Sequence, residues 1–142
     1  MRVFVKKIHP DAVIPAYAHE GDAGVDLYAV EDTIVLAGER KLLPTGLQIS
    51  FPEGFEAQIR PKSGLALKKG LSIVNTPGTI DAGYRGEVGV IAVNLSTDEI
   101  QITKGMKIAQ MVFNKVEEAQ FREVNELDPT LRGEGGFGST GE

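Results

Sequence analysis

The 142-residue chain has no cysteine, no tryptophan and only two histidines, His9 and His19. Without cysteine there is neither a disulfide nor a thiolate metal site, and two histidines do not make a typical zinc shell. No apolar run reaches the about 18 residues that a membrane span requires. The opening stretch, MRVFVKKI, is too short and too polar for a signal peptide. Cationic residues are in deficit too: 15 Lys plus Arg stand against 20 Asp plus Glu, a formal net charge of −5. A protein that grips nucleic-acid backbone needs a basic face, so the balance argues against stable DNA or RNA binding. A small anion held by a local basic cluster stays open. The lack of cysteine agrees with a cytoplasmic location.

What the chain does have is β-branched residues and glycine. Val and Ile together number 24 against 11 Leu. A branched Cβ packs well on a pleated surface and loses freedom in a helix, so this ratio favours strands. Glycine accounts for 17 residues, well above the usual share of ~7%, which demands backbone work in turns or close to a ligand. With 42% apolar residues the chain can bury a core, and its length suits a single domain.

Short strand-like segments follow one another: Val3, Val5 and Ile8; Thr33–Ala37; Leu47, Ile49 and Phe51; Ala57 and Ile59; Leu71–Val74; Val88–Leu95; Ile100 and Ile102; and Ile108–Phe113, apolar on both faces. Turn residues such as Gly38, Gly54 and Gly105 separate them. Only Gly64–Lys69 reads as a helical turn. The pattern predicts an all-β sandwich, barrel or jelly roll over residues 1–127. Residues 128–142, DPTLRGEGGFGSTGE, are rich in glycine and acid and read as a flexible C-terminal tail.

Four stretches carry candidate chemistry. Gly133, Gly135 and Gly138 fit the dinucleotide-binding spacing G-x-G-x-x-G, but only four residues follow and no helix can form there to face a pyrophosphate. Arg132 and Phe137, set among these glycines, could instead clasp phosphate and stack on a base once the tail folds over a ligand. In RPKSGLA, Lys62, Ser63 and Gly64 open the helical turn, where backbone N–H groups attract anions; a plain serine cap with solvated lysines reads equally well. In GTIDAGYRG, Asp81, Tyr84 and Arg85 sit within one glycine-rich turn, a carboxylate, a ring and a charge suited to a nucleotide. Ordinary hairpin chemistry accounts for Asp81 just as simply. Asp22 and Asp26 stand at i and i+4, which in an extended strand share a face and could meet one cation or its waters. Asn94-Leu-Ser96 matches a glycosylation sequon, inert without a secretory signal. Neither histidine has a catalytic partner in the pattern, and G-x-S-x-G is absent.

In order and content these stretches resemble the trimeric dUTPase family. Five family motifs look like AGVDL within Asp22–Leu27, RPKSGLA from Arg60, GTIDAGYRG from Gly78, GMKIAQMVF from Gly105 and RGEGGFGSTG from Arg132. The second departs from the family at one position, with Lys62 where arginine is usual; lysine keeps the charge and loses the bidentate fork. The resemblance implies a distorted jelly-roll, β-clip-like subunit in a homotrimer with shared active sites. The implied reaction is Mg²⁺-dependent hydrolysis of dUTP to dUMP and diphosphate, limiting uracil incorporation into DNA and supplying dUMP for thymidylate synthesis. Carried over by position, Asp81 is the base that activates water, and Asp26 holds a water of the Mg²⁺ carried mainly on the substrate phosphates. Tyr84 lies under the deoxyribose. Asn75, the backbone of Gly78, Thr79, Ile80 and Asp81, and Gly89 face uracil. Lys62, Ser63, Gly64 and Gln110 hold phosphates, and Arg132, Phe137 and Gly138 close the site. Two rivals share this chemistry: a dCTP deaminase of the same superfamily, and a nucleotide-binding regulatory module without catalysis.

Overall fold

The computed structural model describes residues 1–141. Eleven strands and one short helix make up its regular structure: β1 (Phe4–Lys7), β2 (Gly24–Tyr28), β3 (Thr33–Val35), β4 (Arg40–Pro44), β5 (Leu47–Ser50), β6 (Phe55–Arg60), α1 (Ser63–Lys69), β7 (Leu71–Ile73), β8 (Gly78–Asp81), β9 (Gly89–Asn94), β10 (Ile100–Ile102) and β11 (Lys107–Lys115). The described strand pairings are all antiparallel. A four-stranded sheet runs β2-β11-β6-β8 and a three-stranded sheet β4-β9-β7, with β1-β5 and β10-β3 as separate pairs. The chain is an all-β subunit of the expected jelly-roll-like kind.

Inward positions of these strands meet in one core. Val25 and Leu27 of β2, Ala57 and Ile59 of β6, Ile80 of β8 and Met111 of β11 join Leu43, Ile73, Val90 and Ala92 from the three-stranded sheet. β11 lies between β2 and β6 and is the longest strand, which explains the apolar run on both its faces. Phe51 and Phe113 meet edge to face at 5.4 Å between ring centroids. The helix forms where β6 ends at Arg60 and Pro61 breaks the ladder; Gly70, at φ +70, stops it by giving its N–H to the Ala66 carbonyl.

Three local expectations change. Gly78–Asp81 is a strand rather than only a turn, because β6 supplies its ladder partners. Asp22 is not on a strand with Asp26; it closes a turn, accepting the His19 N–H at 2.9 Å, and β2 starts two residues later. Ser63 is the first residue of α1 and makes no cap; Lys62 holds the cap position without a side-chain bond. The sequon has a structural answer as well. Asn94 is fully buried, its Nδ2 donating to the Val35 and Asp98 carbonyls and its Oδ1 accepting from the Ser96 N–H and hydroxyl.

Beyond β11 the Val116 N–H still reaches the Gly54 carbonyl. From there to residue 141 the chain forms turns only and is exposed almost throughout, with Phe121, Leu127, Leu131 and Phe137 all open to solvent. Among the described residues no helix is long and apolar enough to cross a membrane.

Candidate active site

Register across the four-stranded sheet decides which candidate residues meet. Gln110 on β11 pairs with Asp26 on β2 and with Arg60 on β6. Pro61 and Lys62 follow directly, so the second motif lands beside the first and fourth. The Gln110 Nε2 donates to the Pro61 carbonyl at 2.9 Å, fixing the entry to α1. Gly24 is what leaves room for this amide, since a Cβ there would lie 2.6 Å from Gln110 Oε1.

Lys62 and Lys107 both bind the Asp26 carboxylate, Lys62 through Oδ1 and Lys107 through Oδ2, the latter at 2.8 Å. Burial works against the charged form of Asp26. Hydrogen bonds and charge from Lys107 and Lys62 outweigh it and hold the carboxyl below its usual value. In return the Asp26 carboxylate raises the Lys107 ammonium above its usual value. Asp22, His19, Gly24, Asp26, Lys62 and Gln110 line a cleft of about 320 Å³. Gly64 borders no close neighbour of its own chain: a Cβ there would meet nothing within 4 Å, and its φ is not left-handed. Neither backbone conformation nor close packing within the chain therefore requires this glycine.

A second concavity of about 250 Å³ is lined by Thr79, Ile80, Asp81, Tyr84, Glu87, Val88 and Gly89. Along β8, Gly78 and Ile80 face inward while Thr79 and Asp81 face out, so Ile80 can offer a ligand only its backbone. The Tyr84 N–H donates to the Asp81 carbonyl at 3.0 Å and closes the turn. Arg85 spends its guanidinium on the same turn, donating to the Ala82 and Tyr84 carbonyls at 2.7 and 2.8 Å. That makes Arg85 a brace for the turn. The Asn75 amide lies against Gly78, where a Cβ would come within 3.3 Å of its Nδ2.

The two concavities are apart. Asp81 pairs with Glu56 and Glu56 with Asn114, four residues along β11 from Gln110 and two strands away from it. At strand spacing this is about 13 Å along the sheet and about 10 Å across it. Within one chain, no single phosphorus atom can meet both Asp81 and the Lys62–Gln110 cluster. The tail residues stand away from both. Arg132 Nε bonds the Gly135 carbonyl at 2.7 Å within its own turn, and Phe137 is fully exposed at φ +50, rare for a bulky residue.

Comparison with known proteins now separates the remaining readings. The dUTPase family model matches residues 11–141. A deoxyuridine 5'-triphosphate nucleotidohydrolase of Clostridium kluyveri is 54% identical over 141 residues, covering 99% of both chains.

The chain belongs to the dUTPase family.

It is therefore a hydrolase. A second dUTPase relative, from Clostridium novyi, is 55% identical over 141 residues, again 99% of each chain. Among solved structures, the dUTPase of Staphylococcus bacteriophage 80alpha with dUpNHpp superposes at a TM-score of 0.92 with 28% identity, covering 99% of each chain. A dUTPase from phage phi11 of S. aureus, described with a structural Mg(II) ion, shares the fold at a TM-score of 0.85 and 24% identity, over 91% of this chain and 100% of its own.

Sequence reasoning singled out Asp26, Lys62 and Gln110 of the first concavity and Thr79, Ile80, Asp81, Tyr84 and Gly89 of the second, and missed the residues that brace them. Lys107 lies within the fourth motif but carries no local signal of its distant partner. Glu87 and Thr45, which anchor the segment after Tyr84, are equally silent in a one-dimensional reading.

Proposed function

We propose that the protein hydrolyses dUTP with water to dUMP and diphosphate, in a site shared between the subunits of a homotrimer. The observation that carries this reading is the distance between the two concavities. The family's nucleotide motif and its phosphate motif are both present, the latter with Lys62 in place of the usual arginine, yet one chain holds them too far apart to serve one substrate. A second copy brings its Lys62–Gln110 cluster to the first copy's Asp81 and Tyr84. The outward face of the β4-β9-β7 sheet supports association, because Leu42 pairs with Ile91 there and Val74 follows beside them, all exposed. So do Phe121 and Leu127, whose large apolar side chains are open to solvent on their own chain.

In this site the backbone of Gly78–Asp81, with Gly89 and Asn75, hydrogen-bonds the uracil edge, and Tyr84 lies against the deoxyribose so that a 2′-hydroxyl has no space. Lys62, Ser63, Gly64 and Gln110 hold the phosphates; Lys62 turns from Asp26 to reach them, leaving Lys107 on the carboxylate. Asp81 orients a water in line with the α-phosphorus and takes its proton as the bond to the leaving diphosphate breaks. A carboxylate is a weak base, so alignment and charge neutralisation supply much of the rate.

Among the described residues no three His, Asp or Glu side chains stand close enough to hold a metal alone. The donor set would suit a Mg²⁺ carried by the triphosphate, with Asp26 placed to hold one of its waters. Bound there, it would neutralise phosphate charge. Arg132, Phe137 and Gly138 close over the nucleotide, Arg132 on phosphate and Phe137 over the base, and exclude bulk water. A cytoplasmic location goes with a soluble nucleotide substrate.

Subunit mixing tests the shared site. Chains carrying Asp81→Asn and chains carrying Gln110→Ala, each impaired alone, are unfolded together and refolded as mixed trimers. Recovered dUTP hydrolysis in the mixture supports sites built across subunits. Activity no higher than the sum of the two parents contradicts them.

A further inference from the structure

The Tyr84 ring is half exposed, and a side chain so open to water needs a tether if its orientation is to discriminate sugars. Its hydroxyl donates to the Glu87 carbonyl at 3.1 Å. Glu87 is in turn locked to the loop between β4 and β5. Its Oε1 accepts the Gly46 N–H at 2.8 Å. One residue on, Val88 donates its N–H to the Leu47 carbonyl at 2.8 Å and accepts the Thr45 hydroxyl at 2.5 Å. The loop cannot yield, because Gly46, at φ +68, is wedged where a Cβ would lie 2.6 Å from His9 Cβ and 2.9 Å from Ala12 Cβ. Its carbonyl also accepts the Ile8 N–H at 2.8 Å. A rigid loop thus fixes the peptide whose carbonyl receives the phenol.

We propose that Glu87 is a positioning residue for sugar discrimination: its carboxylate, clamped on the Gly46 N–H, holds its own carbonyl where the Tyr84 hydroxyl must point. This rests on Tyr84 being the surface under the deoxyribose. The Val88 N–H shares a peptide plane with the Glu87 carbonyl, so its bond to Leu47 orients that plane, while the Glu87 carboxylate on the Gly46 N–H pins Glu87 itself to the same loop and keeps the carbonyl within reach of Tyr84. The clamp is a hydrogen bond rather than a charge effect, since its partner is a backbone N–H. Glutamine keeps the accepting oxygen at the same reach; aspartate keeps the charge and is one methylene too short.

The test uses the full-length protein and the ratio of kcat/KM for UTP to that for dUTP, with thermal unfolding recorded for every variant. Glu87→Ala and Glu87→Asp should each raise the ratio by about threefold to tenfold, the scale of one lost hydrogen bond, and Glu87→Gln should restore it. In a Tyr84→Phe background, which has no hydroxyl to tether, Glu87→Ala should leave the ratio where Tyr84→Phe alone put it. Should Glu87→Ala fail to fold, Glu87→Asp against Glu87→Gln carries the same comparison. An unchanged ratio in Glu87→Asp, or an equal rise with and without the Tyr84 hydroxyl, overturns the proposal. Tyr84→Ala identifies the source of failure. A raised ratio there with no effect at Glu87 refutes the clamp alone, whereas an unchanged ratio refutes the sugar role of Tyr84 and the clamp with it.

Discussion

Lys107 Nζ lies 2.8 Å from Asp26 Oδ2 while Lys62 holds Oδ1, so the carboxylate has a cationic partner on each oxygen. Asp26 is thereby held as an anion in the cleft it shares with Lys62 and Gln110.

This pairing has a pH signature. The folded-state pKa of Asp26 lies below its ordinary value, so its ion pairs stabilise the fold in full above the unfolded pKa of about 3.9 and lose that contribution as pH falls through the lower folded value. Asp26→Asn should therefore melt below the parent at about pH 6. The gap should narrow as the pH falls below that unfolded value and through the lower folded one. A gap that stays constant over this range would show that the ion pairs are not its source.

Gly86 stands against the Tyr84 phenol, where a Cβ would fall 2.2 Å from the hydroxyl oxygen. No left-handed φ is required at this glycine, so the backbone admits alanine and the clash falls on the ring. Gly86→Ala should fold with a melting temperature close to the parent's and lose about tenfold or more in kcat/KM for dUTP, the cost of a misplaced contact surface. Parent-like kinetics in this variant would show that the ring has room to turn without consequence.

Asp81→Asn separates binding from chemistry. The amide keeps the shape of the carboxylate, so dUTP should bind within a few-fold of the parent while turnover falls by about 10²–10⁴. Titration with the slow analogue dUpNHpp measures the first quantity and single-turnover hydrolysis the second. Unchanged turnover would remove Asp81 from the mechanism.

A chain ending at Pro129 lacks Arg132, Phe137 and Gly138 but keeps every strand, β11 ending at Lys115. It should assemble as the full chain does and hydrolyse dUTP at least tenfold more slowly, about the effect of losing one charge-assisted phosphate contact. Sedimentation checks the assembly and diphosphate release the rate. Full activity would show the tail to be dispensable.

How far the sequence carries depends on whether a signal is local. Val88–Leu95 reads as a strand because its side chains are branched and apolar, and β9 occupies Gly89–Asn94. By contrast β8 hides in GTID, whose glycine and aspartate spell a turn; the partner strand β6 makes it extended. β4 hides too, since Leu42 faces outward while Leu43 is buried, and the pair shows no alternation of apolar with polar. The candidate site follows the same division. Motif residues were readable from their spacing and their likeness to a family. Glu87 was not, because its partner Gly46 lies 41 residues away, and neither was the grip of Lys107 on Asp26 across two strands.

Cleavage of the triphosphate of deoxyuridine at this site is read out by diphosphate release measured in parallel on dUTP, UTP, dTTP and dCTP with Mg²⁺, with ammonia assayed in the dCTP reaction. Rapid formation of dUMP and diphosphate from dUTP, with the other three slower by orders of magnitude and no ammonia, is the result expected. Ammonia from dCTP would assign a deaminase instead, and dUTP bound without diphosphate release would leave a nucleotide-binding module; either contradicts the account.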